Sequence, residues 1–224
     1  MLVACWSVKG GSGTTVVTAG LAVLLARDGT PAAGGSGTGA PGTAVAVDLA
    51  GDLPAVLGLP DPGGPGVAEW LSAGPDVDAD ALAALEVDAG RGLRLLPRGD
   101  GRLPDDGDRL AAALAGPRHV VVDCGSTGEA AGLAVAAAAS LSLLVLRPCY
   151  LALRRAVAAP LRPSGVILVA EGGRALGRQD IEHALGVPVR AEVAWDPAVA
   201  RCVDAGLLAG RVPRTLERAL RRAS

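Results

Sequence analysis

Short apolar runs alternate with helical stretches along the sequence, and this alternation constrains the fold more than any other feature. The predicted strands are 2–8, 43–48, 92–98, 119–124, 140–147, 164–170 and 189–195. Helical patterns separate them; in the first, Leu21, Leu24 and Leu25 share one face. Strands separated by helices form βαβ units, in which a mostly parallel sheet is covered by helices on both faces. The sequence therefore predicts a three-layer α/β fold with a central sheet of about seven strands.

The composition suits one such domain spanning residues 1–224. Half of the 224 residues are hydrophobic, but the chain has no Phe, so Ala, Val and Leu must fill the core. The formal net charge of −2 lacks the basic excess that strong nucleic-acid binding requires. Arginine pairs at 154–155 and 221–222 leave DNA or anionic lipid as alternatives, but the small apolar face of the last helix favours packing against the protein.

Residues 31–43 depart from this pattern. The segment, PAAGGSGTGAPGT, is aperiodic and rich in Gly, Ala, Ser and Pro, and it joins a helix to a strand where two to six residues are usual. We expect a flexible surface insertion here, with an ordered functional lid as the alternative.

Cysteine and histidine spacing favours neither a zinc site nor a disulfide framework. The cysteines are Cys5, Cys124, Cys149 and Cys202, without a C-x-x-C pair, and the histidines are His119 and His183. No Ser-His-Asp set or metal set can be assembled from them. The N-terminus lacks the features of a signal peptide, and no apolar run reaches transmembrane length. We expect a reduced cytoplasmic protein.

The glycine-rich stretch VKGGSGTTVV, residues 8–17, lies between a predicted strand and a predicted helix. That placement directs backbone N–H groups and the helix N-terminus at an anion, and Ser12, Thr14 and Thr15 add hydroxyl groups. A dinucleotide fingerprint would require glycine at Val16, and a G-x-S-x-G elbow would require it at Thr14. A phosphate-binding loop fits best, and a tight turn without a ligand stays open.

Lys9 strengthens the phosphate interpretation. It is the only lysine among 21 basic residues, all others being arginine, and it lies at the start of this loop. A compact ammonium on a flexible stem suits phosphate oxygens, whereas a guanidinium fork requires more room. A solvated loop lysine is the alternative.

KGGSGTT resembles the deviant Walker A loop, K-G-G-x-G-K-[ST], of the MinD/ParA family of P-loop ATPases. The resemblance covers almost the whole chain: 44–58 resembles the second strand and switch region, and 116–126 resembles the Walker B strand with Asp123 as its acid. The segments 142–156 and 180–208 resemble the later strand–helix units. The nearest branch is that of the CpaE/TadZ pilus-assembly and septum-site-determining-like proteins.

This resemblance implies an ATP- or ADP-binding protein with Mg²⁺ and a nucleotide-sandwich homodimer. Lys9 would be the signature lysine that reaches the partner's phosphates, and a cradle would form from Gly10, Gly11, Ser12, Gly13 and Thr14. Thr15 and Asp123 would hold Mg²⁺ directly or through water, and Asp48 would support the switch region. Protein partners at the inner membrane or division site would recruit the chain to the membrane or pole.

Three departures from the family pattern bear on activity. Thr14 stands where the family has the P-loop lysine, and Ala50 stands where it has the water-activating acid, with Asp52 the nearest replacement. Ala170-Glu171 replaces an Asn-Arg pair whose Asn reads adenine. Losing one charged hydrogen bond weakens phosphate binding by roughly 10- to 150-fold, and hydrolysis also needs an oriented water.

We therefore expect an adenine-nucleotide-binding protein with weak or absent hydrolysis that acts in spatial organisation, at a pilus-assembly machine or a septum site. Lys9 and Asp52 are the candidate catalytic residues. One alternative is an active MinD/ParA-type ATPase in chromosome or plasmid partitioning, in which Asp52 or a partner's group supplies the missing chemistry. The other is a scaffold that binds no nucleotide.

Overall fold

The computed structural model describes residues 1–29 and 44–223, which contain one eight-stranded sheet. The strands are β1 (Leu2–Ser7), β2 (Ala44–Asp48), β3 (Val87–Asp88), β4 (Leu93–Leu96), β5 (His119–Ser126), β6 (Leu141–Leu146), β7 (Gly165–Ala170) and β8 (Val189–Ala194). Their spatial order is β3-β4-β2-β5-β1-β6-β7-β8. Every neighbouring pair is parallel except β3 and β4. The carboxyl ends of all these strands except β3 therefore meet at one edge.

The helices connect these strands and cover both faces of the sheet. They are α1 (Thr14–Asp28), α2 (Leu53–Leu57), α3 (Val67–Ser72), α4 (Ala79–Ala83), α5 (Gly107–Leu114), α6 (Ala130–Ala138), α7 (Tyr150–Val157), α8 (Arg178–Leu185), α9 (Pro197–Asp204) and α10 (Arg214–Leu220). Helices α1, α2 and α10 pack on one face and α3 to α8 on the other. No helix in the described part of the chain is long and apolar enough to cross a membrane.

Strand β1 illustrates why the apolar runs are nearly continuous. Val3 and Cys5 enter the core beneath α1, whereas Ala4 and Trp6 enter the core on the opposite face. Successive side chains point to opposite faces of a strand, so a strand covered on both faces needs apolar residues at every position. The two cores are built mainly from Val, Leu and Ala, as the composition predicts.

The structure confirms the three-layer α/β fold, and all seven predicted strands are present with ends within two residues of those observed. The prediction of about seven strands is one short of the observed count. The additional strand, β3, has only two residues and pairs antiparallel with β4. Two residues are too few to produce a periodic signal. The predicted insertion at 31–43 lies outside the described residues.

The terminal helix α10 packs on α1, as its apolar face predicts. Leu216, Ala219 and Leu220 are buried. A Cβ atom at Gly20 of α1 would lie 2.7 Å from Leu220 Cδ1, so the absence of a side chain at this position allows the two helices to approach closely.

We expect Ser142→Ala to lower the free energy of unfolding by about 1–3 kcal/mol, because an unpaired buried donor costs that much. The buried Trp6 indole Nε1 donates to Ser142 Oγ at 3.0 Å, and Ala would leave that N–H without an acceptor. Urea unfolding would measure the loss. Ser72→Ala is the matched control, since the Ser72 hydroxyl is on an exposed residue and bonds only to its own helix. Equal stability of the two variants would contradict the prediction.

Candidate functional site

The glycine-rich loop connects the end of β1 to the first turn of α1. Gly11 and Gly13 have φ values of 75° and 86°, a backbone conformation that favours glycine. The Ser12 hydroxyl donates to the Lys9 carbonyl oxygen at 3.0 Å and holds the turn. A Cβ atom added at Gly10 or Gly11 would meet no atom of the described chain within 4 Å, so the space in front of the loop is open.

Helix α1 begins at the far side of this loop with its N-terminus unblocked. Gly13 is its N-cap residue and contributes no side-chain hydrogen bond. The N–H groups of the first helical turn have no acceptor within the helix, and the helix dipole places partial positive charge there. An open loop that leads into such a helix end has the geometry that favours phosphate groups.

Two buried acids lie at the carboxyl ends of the strands beside this loop. The pairing of β2 with β5 sets Asp48 opposite Asp123, and the pairing of β1 with β5 sets Cys5 opposite Asp123. Both aspartates are fully buried. Ligands of open α/β sheets bind at this edge, beside strands from which the connections diverge.

Asp48 organises the segment that follows β2. Its Oδ1 accepts hydrogen bonds from the N–H groups of Ala50 and Gly51 at 3.0 and 2.7 Å, and its Oδ2 accepts one from Leu53 at 3.0 Å. Burial raises the pKa of Asp48, and these three donors oppose that rise. Both carboxylate oxygens are engaged, so Asp48 fixes the loop in front of α2.

Asp123 differs because one of its oxygens is not engaged. Its Oδ1 accepts from Gly125 N at 3.0 Å, whereas its buried Oδ2 has no hydrogen-bond partner among the described residues. Burial, with smaller contributions from the charges of Asp48 and Asp52, raises the pKa of Asp123 to about 6, and the nearby Thr15 hydroxyl and the Gly125 N–H limit that rise. A buried carboxylate oxygen without a partner is costly, so its presence indicates a ligand.

The residues around Asp123 Oδ2 fit a magnesium ion. Mg²⁺ binds through one or two protein oxygens and keeps several waters, and here it would take the Asp123 carboxylate and the Thr15 hydroxyl. A bound ion would neutralise charge on nucleotide phosphates. Within the described residues no cluster of three or more His, Cys, Asp or Glu side chains exists that would hold a metal by protein groups alone.

Lys9 and Thr14 stand at opposite ends of the loop and differ in exposure. The Lys9 ammonium donates to the Gly10 carbonyl at 3.2 Å, at an exposed position, and its own carbonyl accepts from Ser7 and Ser12 hydroxyls. Thr14 is buried, and its carbonyl accepts from the Thr18 hydroxyl at 2.9 Å. Position 14, which the resemblance aligns with the P-loop lysine, is therefore an uncharged, buried side chain.

Ala50 and Asp52 lie in the segment that Asp48 organises. A Cβ atom at Gly125 would lie 3.6 Å from Ala50 Cβ, so Ala50 faces the turn that follows Asp123. Asp52 is exposed at the start of α2, and its charge raises the pKa values of Asp48 and Asp123. Asp52 thus acts on the site through its charge, and the described contacts include none between the side chains of Asp52 and Asp123.

A pocket adjoins the loop and was not anticipated from the sequence. It has a volume of ≈ 310 Å³ and is lined mainly by apolar side chains from α1, β7, β8 and α9, among them Val16, Val169, Val193 and Trp195. Gly13 of the loop also lines it. An apolar pocket next to a phosphate site suits a flat organic base. The only signal in the sequence was a set of apolar strand ends, which resemble ordinary core positions.

A second unanticipated feature is an arginine at the rim of the loop. Arg147, at the end of β6, donates to the Gly11 carbonyl at 3.3 Å. It also pairs with Glu171, the residue that follows β7. Arg147 is one of many arginines in the sequence, so only the topology of the sheet reveals that it reaches the loop.

The overall architecture was compared with known proteins. No protein-family model matches the sequence, and no curated protein matches it. Solved structures do match. The septum site-determining protein MinD of Pyrococcus horikoshii, complexed with Mg-ADP, matches at 20% identity and a TM-score of 0.74, covering 99% of this chain and 93% of that one.

Two further structures extend the comparison. A ParA family ATPase from Chlorobium tepidum matches at 18% identity and a TM-score of 0.69, over 97% of this chain and 95% of the other. An McdA variant from Cyanothece in complex with ATP matches at 16% identity and a TM-score of 0.72, over 99% of this chain and 94% of the other. This chain has the MinD/ParA fold. The structural similarity covers nearly the entire length of this chain and of each of the three matched proteins.

The MinD/ParA fold confirms the resemblance found in the sequence at the level of architecture. The assignment to the CpaE/TadZ branch, the roles of the site residues and the effect of the three departures stay predictions. The fold explains why the loop, Asp48 and Asp123 are brought together, because β1, β2 and β5 are neighbours with their carboxyl ends at one edge.

Proposed function

We propose that this chain binds an adenine nucleotide with Mg²⁺ at residues 9–15, Asp48 and Asp123, and hydrolyses it slowly or not at all. The observation that carries the proposal is the buried, unpartnered Asp123 Oδ2 beside Thr15 and the open loop. The pocket behind Gly13 offers room for the base. Mg-ADP and ATP are bound by the MinD and McdA structures of the same fold.

Slow hydrolysis follows from the residues that replace the usual chemistry. Thr14 supplies no cation for the phosphates, and the Ala50 methyl group faces the turn after Asp123 where an acid would orient water. Phosphoryl transfer depends on positioned charge and an oriented nucleophile, and both are reduced here. Nucleotide binding would then serve as a conformational signal.

The biological role we propose is spatial organisation by a homodimer that forms across the nucleotide face, with protein partners at a septum site or a pilus-assembly machine. Septum-site and MinC-complexed MinD proteins share the fold. The chain would be cytoplasmic and be recruited to a membrane or pole by those partners. A nucleotide-dependent dimer is the form in which such a signal would be transmitted.

An active ATPase is the second candidate, favoured by Asp52. Its exposed carboxylate raises the pKa of Asp123 and so lies within electrostatic range of the site. A carboxylate there would serve as the water-positioning acid that Ala50 lacks. Phosphate release by the parent protein, compared with that of Asp52→Asn, separates the two candidates.

The proposal is tested by the melting temperature of the purified protein with and without ATP and Mg²⁺. A ligand that binds only the folded state stabilises it by about 2.7 kcal/mol at 100 times its Kd. A concentration-dependent rise that requires Mg²⁺ supports nucleotide binding. No rise at millimolar ATP, with no heat in titration calorimetry, would leave the chain as a scaffold without nucleotide.

Lys9→Ala is expected to weaken ATP binding by roughly tenfold or more, because one charged hydrogen bond to phosphate is lost. ATP-dependent self-association should fall as well. The fold should be unaffected, since the Lys9 ammonium contacts only an exposed carbonyl of its own loop. Calorimetry and sedimentation measure both quantities, and Lys9→Arg is the control that keeps the charge. Unchanged affinity and self-association in Lys9→Ala would contradict this role.

A further inference from the structure

Arg147 brings a cation to the phosphate loop from a neighbouring strand. Strand β6 pairs with β1, with Leu144 opposite Trp6, so the end of β6 lies beside the start of the glycine-rich loop. Arg147 follows directly, and its Nη1 donates to the Gly11 carbonyl oxygen at 3.3 Å. The guanidinium thus lies at the rim of the loop on the side away from Asp123.

Glu171 holds this arginine. Its carboxylate pairs with the Arg147 guanidinium through one oxygen and with the Arg174 guanidinium through the other, and Arg174 Nε donates to it at 2.8 Å. The Glu171 side chain is 17% exposed and that of Arg147 33%. Two arginines on one carboxylate leave the cluster with a net positive charge next to the loop.

The cluster supplies what the loop itself lacks. Thr14 places no ammonium at the P-loop lysine position, and the cations of the described residues that contact the loop are Lys9 and Arg147. A guanidinium needs more room than an ammonium, and the space in front of Gly10 and Gly11 is open. A peptide carbonyl is a weaker partner for guanidinium than a phosphate oxygen, which accepts charge-assisted hydrogen bonds.

We propose that Arg147 is the phosphate-binding cation that takes the place of the missing P-loop lysine, and that Glu171 restrains it until a nucleotide polyphosphate binds. On binding, the Arg147 guanidinium would exchange the Gly11 carbonyl and part of its Glu171 contact for phosphate oxygens, which are stronger partners. Glu171 therefore competes with the ligand for one guanidinium. This inference rests on the proposed nucleotide binding and identifies the residue that would supply the positive charge for the phosphates.

A double-mutant cycle tests the inference. Arg147→Gln should weaken ATP and ADP binding by roughly 10- to 150-fold, the range of one charged hydrogen bond. Glu171→Gln should tighten binding, since it frees Arg147. In the double variant the gain should vanish and the affinity should match that of Arg147→Gln, because the carboxylate acts through the arginine. Titration calorimetry on the full chain measures each Kd.

Two further variants separate binding from structure. Arg174→Gln is the matched control, since Arg174 shares the same carboxylate but makes no contact with the loop among the described residues, and its Kd should stay within a few-fold of the parent. Arg147→Lys keeps a cation and should recover most of the affinity lost in Arg147→Gln. The melting temperatures of the nucleotide-free variants should agree within a few degrees.

The outcomes separate this inference from the function on which it rests. If the parent binds ATP and Arg147→Gln binds it equally well, Arg147 is not the phosphate cation and the proposed function stands. A gain from Glu171→Gln that persists without Arg147 would mean that the carboxylate repels phosphate directly, which also overturns the inference. If the parent binds neither ATP nor ADP, both the inference and the proposed function fail.

Discussion

Asp123→Asn is expected to stabilise the nucleotide-free protein by about 2 kcal/mol at pH 7. Asp123 is fully buried, and burial raises its pKa from 3.8 to about 6. A shift of that size means that the charged form of Asp123 destabilises the folded state by about 3 kcal/mol at pH 7. The Asn amide keeps the acceptor for Gly125 but adds an unpaired donor, whose cost reduces the gain in stability by about 1 kcal/mol.

The same substitution should change the pH dependence of stability. Because the pKa of Asp123 is higher in the folded than in the unfolded state, Asp123 is protonated to a greater extent in the folded state between about pH 4 and pH 6. The contribution of Asp123 to the free energy of unfolding therefore falls as pH rises through this window and is constant above it. The difference between Asp123→Asn and the parent should be small at pH 4 and reach its full size above pH 6.

Urea unfolding of both proteins from pH 4 to pH 8, without nucleotide or Mg²⁺, measures this difference. Asp76→Asn is the control, since Asp76 is exposed and the same chemical change there should have no effect. The stabilised variant should also lose the Mg²⁺-dependent rise in melting temperature with ATP. A variant less stable than the parent at every pH would show that the charge of Asp123 supports the fold, contrary to our account.

If Asp123→Asn gains stability but loses the Mg²⁺-dependent effect of ATP, ligand binding explains why the chain keeps a destabilising carboxylate in its core. Asp48 is just as deeply buried, but three backbone N–H groups satisfy it and give it a structural role. Asp123 has one N–H donor and an unpartnered oxygen. Two acids at the same level of the sheet thus differ in hydrogen bonding, and only Asp123 is left able to accept a ligand.

The sequence was sufficient to predict the sheet because buried parallel strands produce continuous apolar runs. It also predicted the position of the loop, since glycines between a strand and a helix indicate a tight connection, and it drew attention to Lys9 as the only lysine. Asp48 and Asp123 each end an apolar run, and the resemblance to the MinD/ParA family assigned them to the site. Their adjacency became visible only in the structure, where β2 pairs with β5.

What the sequence could not predict depends on contacts between distant segments. Arg147 and Glu171 are 24 positions apart, and nothing in their local sequence differs from that of exposed charges. The pocket beside Gly13 is formed by apolar ends of β7 and β8 that alternation alone assigns to the core. Strand β3 depends on its pairing with β4, because two residues have no periodicity of their own.

Thr14→Lys is expected to tighten ATP binding by roughly 10- to 150-fold, because it restores a charged hydrogen bond to phosphate. Thr14 is 7% exposed, so the new side chain must extend through the open space in front of Gly10 and Gly11. Thr14→Gln has similar reach without the charge and is the matched control. If Thr14→Lys binds ATP no more tightly than Thr14→Gln, an ammonium at position 14 does not contribute to phosphate binding, contrary to this prediction.

Restoring hydrolysis should require a second change. Thr14→Lys alone leaves the attacking water without an acid, because Ala50 presents only a methyl group beside the turn after Asp123. Adding Ala50→Asp should raise phosphate release by more than the product of the two single effects, since both groups act on one transition state and such effects are not additive. Ala50→Asn in the Thr14→Lys background tests whether the negative charge is needed. Fast phosphate release by the parent would instead assign the water-positioning role to a group already present, and Asp52, whose charge already acts on Asp123, would be the residue to replace next.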